Sequence, residues 1–170
     1  PAFITNDVRA ATWGEWRRGA GRGVSDLVCF FVGTGVGGGI VSSNRLITGS
    51  SGSAGELGHM VIDINGSPCR CPNHGCLEAF AGGWAIALRA QQAVAEDPVA
   101  GRLLLDMASG DADTITAETV ASSAYNGDPL AQRLVSETGA ALGVGVTSAV
   151  NVLNPSMVVL GGGVTEGLPE

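Results

Sequence analysis

The segment from His59 to Cys76 limits what this chain can fold into more than any other. It places three of the four cysteines, Cys69, Cys71 and Cys76, within eight positions, with His59 ten residues ahead of the first. Three thiolates and one imidazole are a complete tetrahedral ligand set for Zn2+. The set leaves no open position, which argues for a structural metal rather than Lewis-acid catalysis. Cys69 and Cys71 are too close to bridge each other easily. Arg70 between them is directed away from the pair, and Gly75 permits the turn that brings Cys76 back. His74 competes with His59 for the fourth position, but ligands at 74 and 76 would strain the loop. Cys29 lies inside the apolar run Leu27–Val32 and reads as a buried small hydrophobe.

The rest of the composition narrows the class. A chain of 170 residues, 45% of them hydrophobic, fits one domain with a real core. The formal charge is −7, there is no lysine, and the nine arginines are scattered. That distribution argues against a nucleic-acid surface in this segment. No apolar run reaches the roughly 18 residues of a membrane span, and no secretory signal opens the chain, so a cytoplasmic protein without a membrane partner is expected. The apolar start Pro1-Ala2-Phe3-Ile4 and the abrupt finish Gly167-Leu168-Pro169-Glu170 read as the ends of a fragment.

Local signals divide the chain into elements. Asn6 or Asp7 caps a helix to about Gly19, with Val8, Ala11, Trp13 and Trp16 among its larger side chains. Leu27–Val32 is a strand buried on both faces. A glycine turn over Gly33–Gly39 leads to a returning strand at Ile40-Val41-Ser42. Asn44-Arg45 is a two-residue turn into Leu46-Ile47-Thr48. Met60–Asp63 is a short strand. Helices follow at 77–80, 84–95, 99–107 and 117–126. Asp128-Pro129 opens a long helix to about Leu153, whose interior Gly139, Gly143 and Gly145 suggest close packing. Met157–Leu160 is a buried strand running into Gly161-Gly162-Gly163.

Three groups of residues suggest chemistry. Gly33-Thr34-Gly35-Val36-Gly37-Gly38-Gly39 follows a buried strand, as phosphate-cradling loops do, and its N–H groups and the Thr34 hydroxyl suit phosphate oxygens. It is no Walker loop and a weak dinucleotide fingerprint; taken alone, it reads as a plain hairpin turn before it reads as a phosphate loop. Gly161–Gly163 reads alone as a strand exit. Asp7 beside Asn6 is either a helix-cap pair or a general base next to a substrate-binding amide. Glu56 and Glu78 flank the cysteine loop, which would hold them rigid.

In this order, Asn6-Asp7-Val8-Arg9-Ala10-Ala11, Gly33–Gly39, Gly55-Glu56-Leu57-Gly58-His59 and Cys69-Arg70-Cys71-Pro72-Asn73-His74-Gly75-Cys76-Leu77-Glu78 resemble the ROK family of sugar kinases and sugar-responsive repressors. Pro72 departs from the glycine common in such loops but removes no ligand. The resemblance spans essentially the whole chain. It implies an α/β, actin-like (ribonuclease-H-like) ATPase domain with a zinc-binding loop. Residues 1–170 would be the larger lobe, without the N-terminal lobe that carries an Asp-x-Gly-x-Thr phosphate loop. It implies Asp7 as catalytic base, and Asn6, Glu56, His59 and Glu78 as hexose ligands. Gly33, Thr34, Gly35 and Gly37 would face the phosphates of ATP, and Gly161, Gly162 and Gly163 its adenosine. Zn2+ would be held by His59, Cys69, Cys71 and Cys76, while ATP and Mg2+ serve the intact kinase. The implied function is an ATP-dependent hexose kinase of glucokinase type that forms a homodimer or homotetramer, the fragment alone being inactive. The alternatives are the effector-binding and oligomerisation domain of a ROK-type repressor, or a stand-alone zinc-stabilised interaction domain.

Overall fold

The computed structural model describes residues 5–167; the apolar approach at Pro1–Ile4 and the chain end after Gly167 lie outside them. Four strands form one mixed sheet in the order β3-β2-β1-β4. Strand β1 (Leu27–Val32) is its axis, antiparallel to β2 (Val36–Ser42) and parallel to β4 (Met157–Gly161). Strand β3 (Arg45–Leu46) closes the edge beside β2.

The unbroken apolar run of β1 follows from its position between two covered faces. Val28, Phe30 and Val32 point into the larger core, which contains Leu77, Ile86, Val120 and Leu134. Leu27 and Cys29 point into a smaller one with Val41, Trp16 and Met157. Strand alternation thus supplies both layers from one segment. Burial pushes the Cys29 thiol up to about 11, as suits an inert core residue.

Helix α1 (Asp7–Arg18) covers the smaller face. Asn6 is its N-cap, accepting from the Arg9 N–H at 3.1 Å. Its fully buried residue is Thr12, and Trp16 packs partly buried against the smaller core, while Trp13 lies half exposed. The larger face carries α2 (Glu78–Ala81), α3 (Gly83–Glu96), α4 (Arg102–Met107), α5 (Ala117–Tyr125), α6 (Pro129–Leu153) and α7 (Gly163–Gly167). Helix α6 runs as expected from the buried N-cap Asp128 to Asn154, a left-handed C-cap. Of its interior glycines only Gly145 sits against a neighbour, Leu77; Gly139 and Gly143 face open space.

Several expectations shift. Strand β2 begins at Val36, not Ile40, so the turn is only Gly33–Gly35 and Gly37–Gly39 are strand residues. The next turn falls on Ser43-Asn44, both left-handed at φ 50° and 59°, which places Arg45 in β3 opposite Ser42. That backbone matches the strand twist, and asparagine tolerates it without a glycine. Asp26 fixes this turn, its Oδ1 accepting from the Ser43 N–H and the Ser42 hydroxyl. Met60–Asp63 is not a strand. A 3-10 turn at Leu57–His59 precedes it, and it keeps one bridge, Val61 with Cys76, because its partner is the bent cysteine loop. Gly163, read with its neighbours as a strand exit, instead opens helix α7.

The glycines of β2 determine how close the covering layers come. A Cβ on Gly37 would lie 2.6 Å from Val8, and one on Gly39 would lie 2.0 Å from Thr12, both on α1. On the opposite side a Cβ on Gly38 would meet Leu57 at 2.5 Å. Gly39→Ala is therefore expected to destabilise the protein by about 1–3 kcal/mol through overpacking against buried Thr12. Gly143→Ala, in open space on α6, should stabilise by up to about 1 kcal/mol. Denaturant unfolding of both variants measures the contrast; equal effects would show that β2 tolerates side chains at this position.

Candidate functional site

The cysteine loop folds back on the Leu57–His59 turn. The Ile62 N–H donates to Gly75 O at 2.8 Å and the Leu77 N–H to Met60 O at 2.9 Å. Gly75 makes the return at φ 68°, where a Cβ would strike Asp63 O at 1.7 Å. These bonds gather His59, Cys69, Cys71 and Cys76, whose ligand atoms all lie within 4.8 Å of one another. Cys71 and Cys76 sulfurs are 3.7 Å apart, and Cys69 Sγ is 3.8 Å from His59 Nδ1. Two sulfurs bound tetrahedrally at about 2.3 Å each stand about 3.8 Å apart, so the spacing fits one metal ion and no disulfide. Exposed His74 is not in this group; it pairs with Pro68 across the loop.

The loop's electrostatics agree with that reading. Burial pushes the Cys76 thiol up to about 12, and the Cys71 and Cys69 sulfurs push it the same way. The Asn73 backbone N–H holds the Cys71 thiol below its ordinary value. Thiols packed so closely ionise together only against a cation, which makes the cluster better suited to a metal than to free thiolates.

The two glycine elements meet. In the register of the parallel pair, Phe31 stands opposite Gly161, so Gly33 and Gly162 follow at the same end of adjacent strands. Gly162, at φ 100°, passes so close that a Cβ would lie 2.5 Å from Val32 O. Ligands of open α/β sheets bind outside the carboxyl ends of parallel strands. Here that place is a cleft of about 480 Å3, lined by Gly33, Thr34 and Gly163 together with Gly83, Trp84, Ala87, Thr116, Ala117, Glu118, Ala121, Val164 and Gly167. The α3, α5 and α7 residues were not singled out in the sequence. The one signal was the pair Gly82-Gly83 ahead of Trp84, which lets α3 start against the turn: the Gly83 N–H donates to Gly33 O at 2.8 Å, and the Trp84 N–H to Thr34 O at 3.2 Å.

Gly35, Gly37, Gly161 and Gly162 do not line the cleft. The side of Gly35 is filled by the Glu78 carboxylate, that of Gly37 by Val8, and Gly161 lies against Phe31. Glu78 Oε2 accepts from the Val36 N–H at 2.9 Å, and Oε1 from the Trp84 indole N–H at 3.4 Å. Glu78 thus joins the end of the metal loop to the glycine turn.

The remaining site residues approach the same strand from two other elements. Asn6 and Asp7 open α1 next to Val8, which lies on Gly37. Asp7 Oδ1 accepts from the Val8 N–H at 2.8 Å. Both residues are exposed and both serve the helix start, so the cap role is real; it leaves Asp7 Oδ2 without a hydrogen bond among the described residues. Glu56, also exposed, precedes the 3-10 turn at whose end His59 faces Cys69. Arg9 ties these pieces together, its guanidinium donating to Gly52 O and to Ala54 O in the loop before Glu56.

Known proteins resemble this chain in sequence and fold. The sequence model of the ROK family matches residues 1–168. A glucokinase of Streptomyces coelicolor is 34% identical over 166 residues, covering 98% of this chain and 52% of the relative. The transcriptional regulator NagC of Escherichia coli is 32% identical over 164 residues, covering 96% of this chain and 38% of the relative. The crystal structure of a ROK family glucokinase from Streptomyces griseus in complex with glucose and AMPPNP superposes with a TM-score of 0.88 at 36% identity, over 98% of this chain and 54% of that one. The chain spans about half the length of the glucokinases it matches. Its mixed sheet superposes on that of a ROK kinase, which is the actin-like ATPase fold, and with the family's sequence model matched over nearly its whole length the chain belongs to the ROK family.

Proposed function

We propose that this chain is the larger lobe of an ATP-dependent sugar kinase of glucokinase type. A second lobe carries the remaining phosphate loop, and the whole works as a homo-oligomer. The observation that carries the reading is the strand β2, with the nucleotide-sized cleft at the end of its turn and the carboxylates of Asp7 and Glu78 carried by elements packed along it. Similarity to glucokinases, one of them crystallised with glucose and AMPPNP, supports the same reaction. Similarity to NagC supports the second reading, a sugar-binding domain of a repressor. Coupled measurement of sugar-dependent ADP formation by the full-length protein separates the two, since a repressor would bind sugar without turnover. Among the described residues no helix is long and apolar enough to cross a membrane.

In this mechanism Asp7 takes the proton of the sugar hydroxyl that attacks phosphorus. Its Oδ1 is anchored by the Val8 N–H, which orients Oδ2 towards substrate. Asn6, Glu56 and Glu78 hold neighbouring hydroxyls. His59 presents Nδ1 to the cysteines and keeps Nε2 for the sugar. Thr34 and the Gly33 turn hold the phosphate end of the nucleotide, and Gly163 borders its adenosine. Bound ATP and Mg2+ supply the phosphoryl group and the charge that neutralises it, so the protein's task is largely positioning.

The cation held by His59, Cys69, Cys71 and Cys76 is Zn2+ in this reading, and it fixes the loop rather than taking part in the reaction. Elemental analysis of protein purified without added metal should give close to one zinc per chain. Cys76→Ser should lose the metal and lower thermal stability, because metal binding and loop folding are coupled. Metal-free protein with an oxidised Cys71–Cys76 pair would overturn the assignment.

Asp7→Asn keeps the side-chain size and the bond from the Val8 N–H but cannot accept a proton. The expected result is a fall in kcat of about 10²–10⁴-fold with a much smaller change in sugar affinity. Glu78→Gln should instead raise KM and leave residual turnover at saturation. Near-normal kcat in Asp7→Asn would leave Asp7 with the helix-start role alone.

A further inference from the structure

Trp84 links several parts of the site. It lines the cleft, its backbone N–H donates to Thr34 O at 3.2 Å, and its indole N–H reaches Glu78 Oε1 at 3.4 Å. The Arg70 guanidinium lies over its ring, 4.7 Å from the centroid. Arg70 stands between two of the cysteines of the metal cluster, makes no ion pair among the described residues, and is not part of the cleft wall. Arg70 thus covers the ring without itself entering the cleft wall. An indole held by its backbone, its N–H and a cation on its ring has lost its rotamer freedom before any ligand arrives. Such a surface is pre-organised to receive a planar heterocycle.

We propose that Trp84 is the aromatic contact for the adenosine part of a nucleotide in this cleft, and that Arg70 is a positioning residue through which the metal loop sets nucleotide affinity. The proposal rests on the nucleotide reading of the cleft given above and extends it to a residue outside the glycine turns. Its physical basis is a lever of two contacts. The metal fixes the backbone at Cys69 and Cys71, that backbone places Arg70, and Arg70 holds the indole by a cation–π contact. Loss of the metal frees Arg70, and the indole then pays an ordering cost on binding that the loaded protein does not.

The test is titration of the full-length protein with adenosine and with a non-hydrolysable ATP analogue, followed by tryptophan emission and by calorimetry. Trp13 and Trp16 both lie on α1, so the signal that Trp84→Phe removes belongs to Trp84. Trp84→Ala is expected to weaken adenosine and analogue alike by about tenfold, the scale of one stacked base. Arg70→Ala should keep its full metal content and weaken both ligands by about threefold, with Arg70→Lys recovering much of the loss. Removing the metal with a chelator should have the effect of Arg70→Ala, and add nothing to that variant.

Wild-type adenosine affinity in Trp84→Ala would overturn the aromatic contact. Unchanged affinity in metal-loaded Arg70→Ala would overturn the coupling. Weakening of the analogue alone in Arg70→Ala would place Arg70 on the phosphates and overturn its positioning role. If Trp84→Ala fails to fold, the emission change and affinity of Trp84→Phe decide the same question. Absence of binding by the wild type to either ligand would instead overturn the nucleotide reading itself, a result visible before any variant is made.

Discussion

The absence of side chains along one edge of β2 is the constraint on which the site depends. Gly37 and Gly39 let α1 lie directly on the sheet, and Gly38 lets Leu57 do so from the other face. Gly58 brings the 3-10 turn so near that a Cβ would strike Val36 O at 1.9 Å. Three elements that carry Asp7, His59 and Glu78 thus reach one strand at backbone distance. Glycine in a strand weakens it, by lost packing and greater unfolded entropy. That cost is offset where the close approach brings the elements carrying Asp7, His59 and Glu78 to one strand.

The cysteine loop performs at one end of this strand what the sheet performs along it. It is too short and too polar to have a core of its own, so its geometry depends on the ligand set and a few backbone bonds. Its last residues lead straight into Leu77, buried against Gly145 of α6, and Glu78, which holds the Val36 N–H. The loop is therefore joined to the core on one side and to the glycine turn on the other. A loop so joined transmits its order to both.

The elements legible from the sequence were those with dense local signals. The run Leu27–Val32, the Asn6 cap, and the span from Asp128-Pro129 to Leu153 emerge with nearly the expected bounds, since periodicity and caps act within a few residues. The cysteine spacing likewise marked a four-ligand group before any contact was known. What failed were the short pieces whose form depends on a partner. Met60–Asp63 has the composition of a strand but pairs with a bent loop. The turn at Ser43-Asn44 takes its register from β2 and Asp26 rather than from its own residues.

The sequence by itself determined the ligand types, the strand that feeds both layers and the family to which the chain belongs, because each is written in residue identity and near-neighbour spacing. Only the tertiary structure decided which glycines serve a turn and which serve packing. Gly33 and Gly37 look alike in the chain, yet one borders the cleft and the other lies under Val8. It also decided that α3, α5 and α7 complete the cleft, and that Arg70 meets Trp84. Those contacts join residues far apart in the chain. Their positions follow from how the layers pack around β1, a long-range consequence that no local pattern encodes.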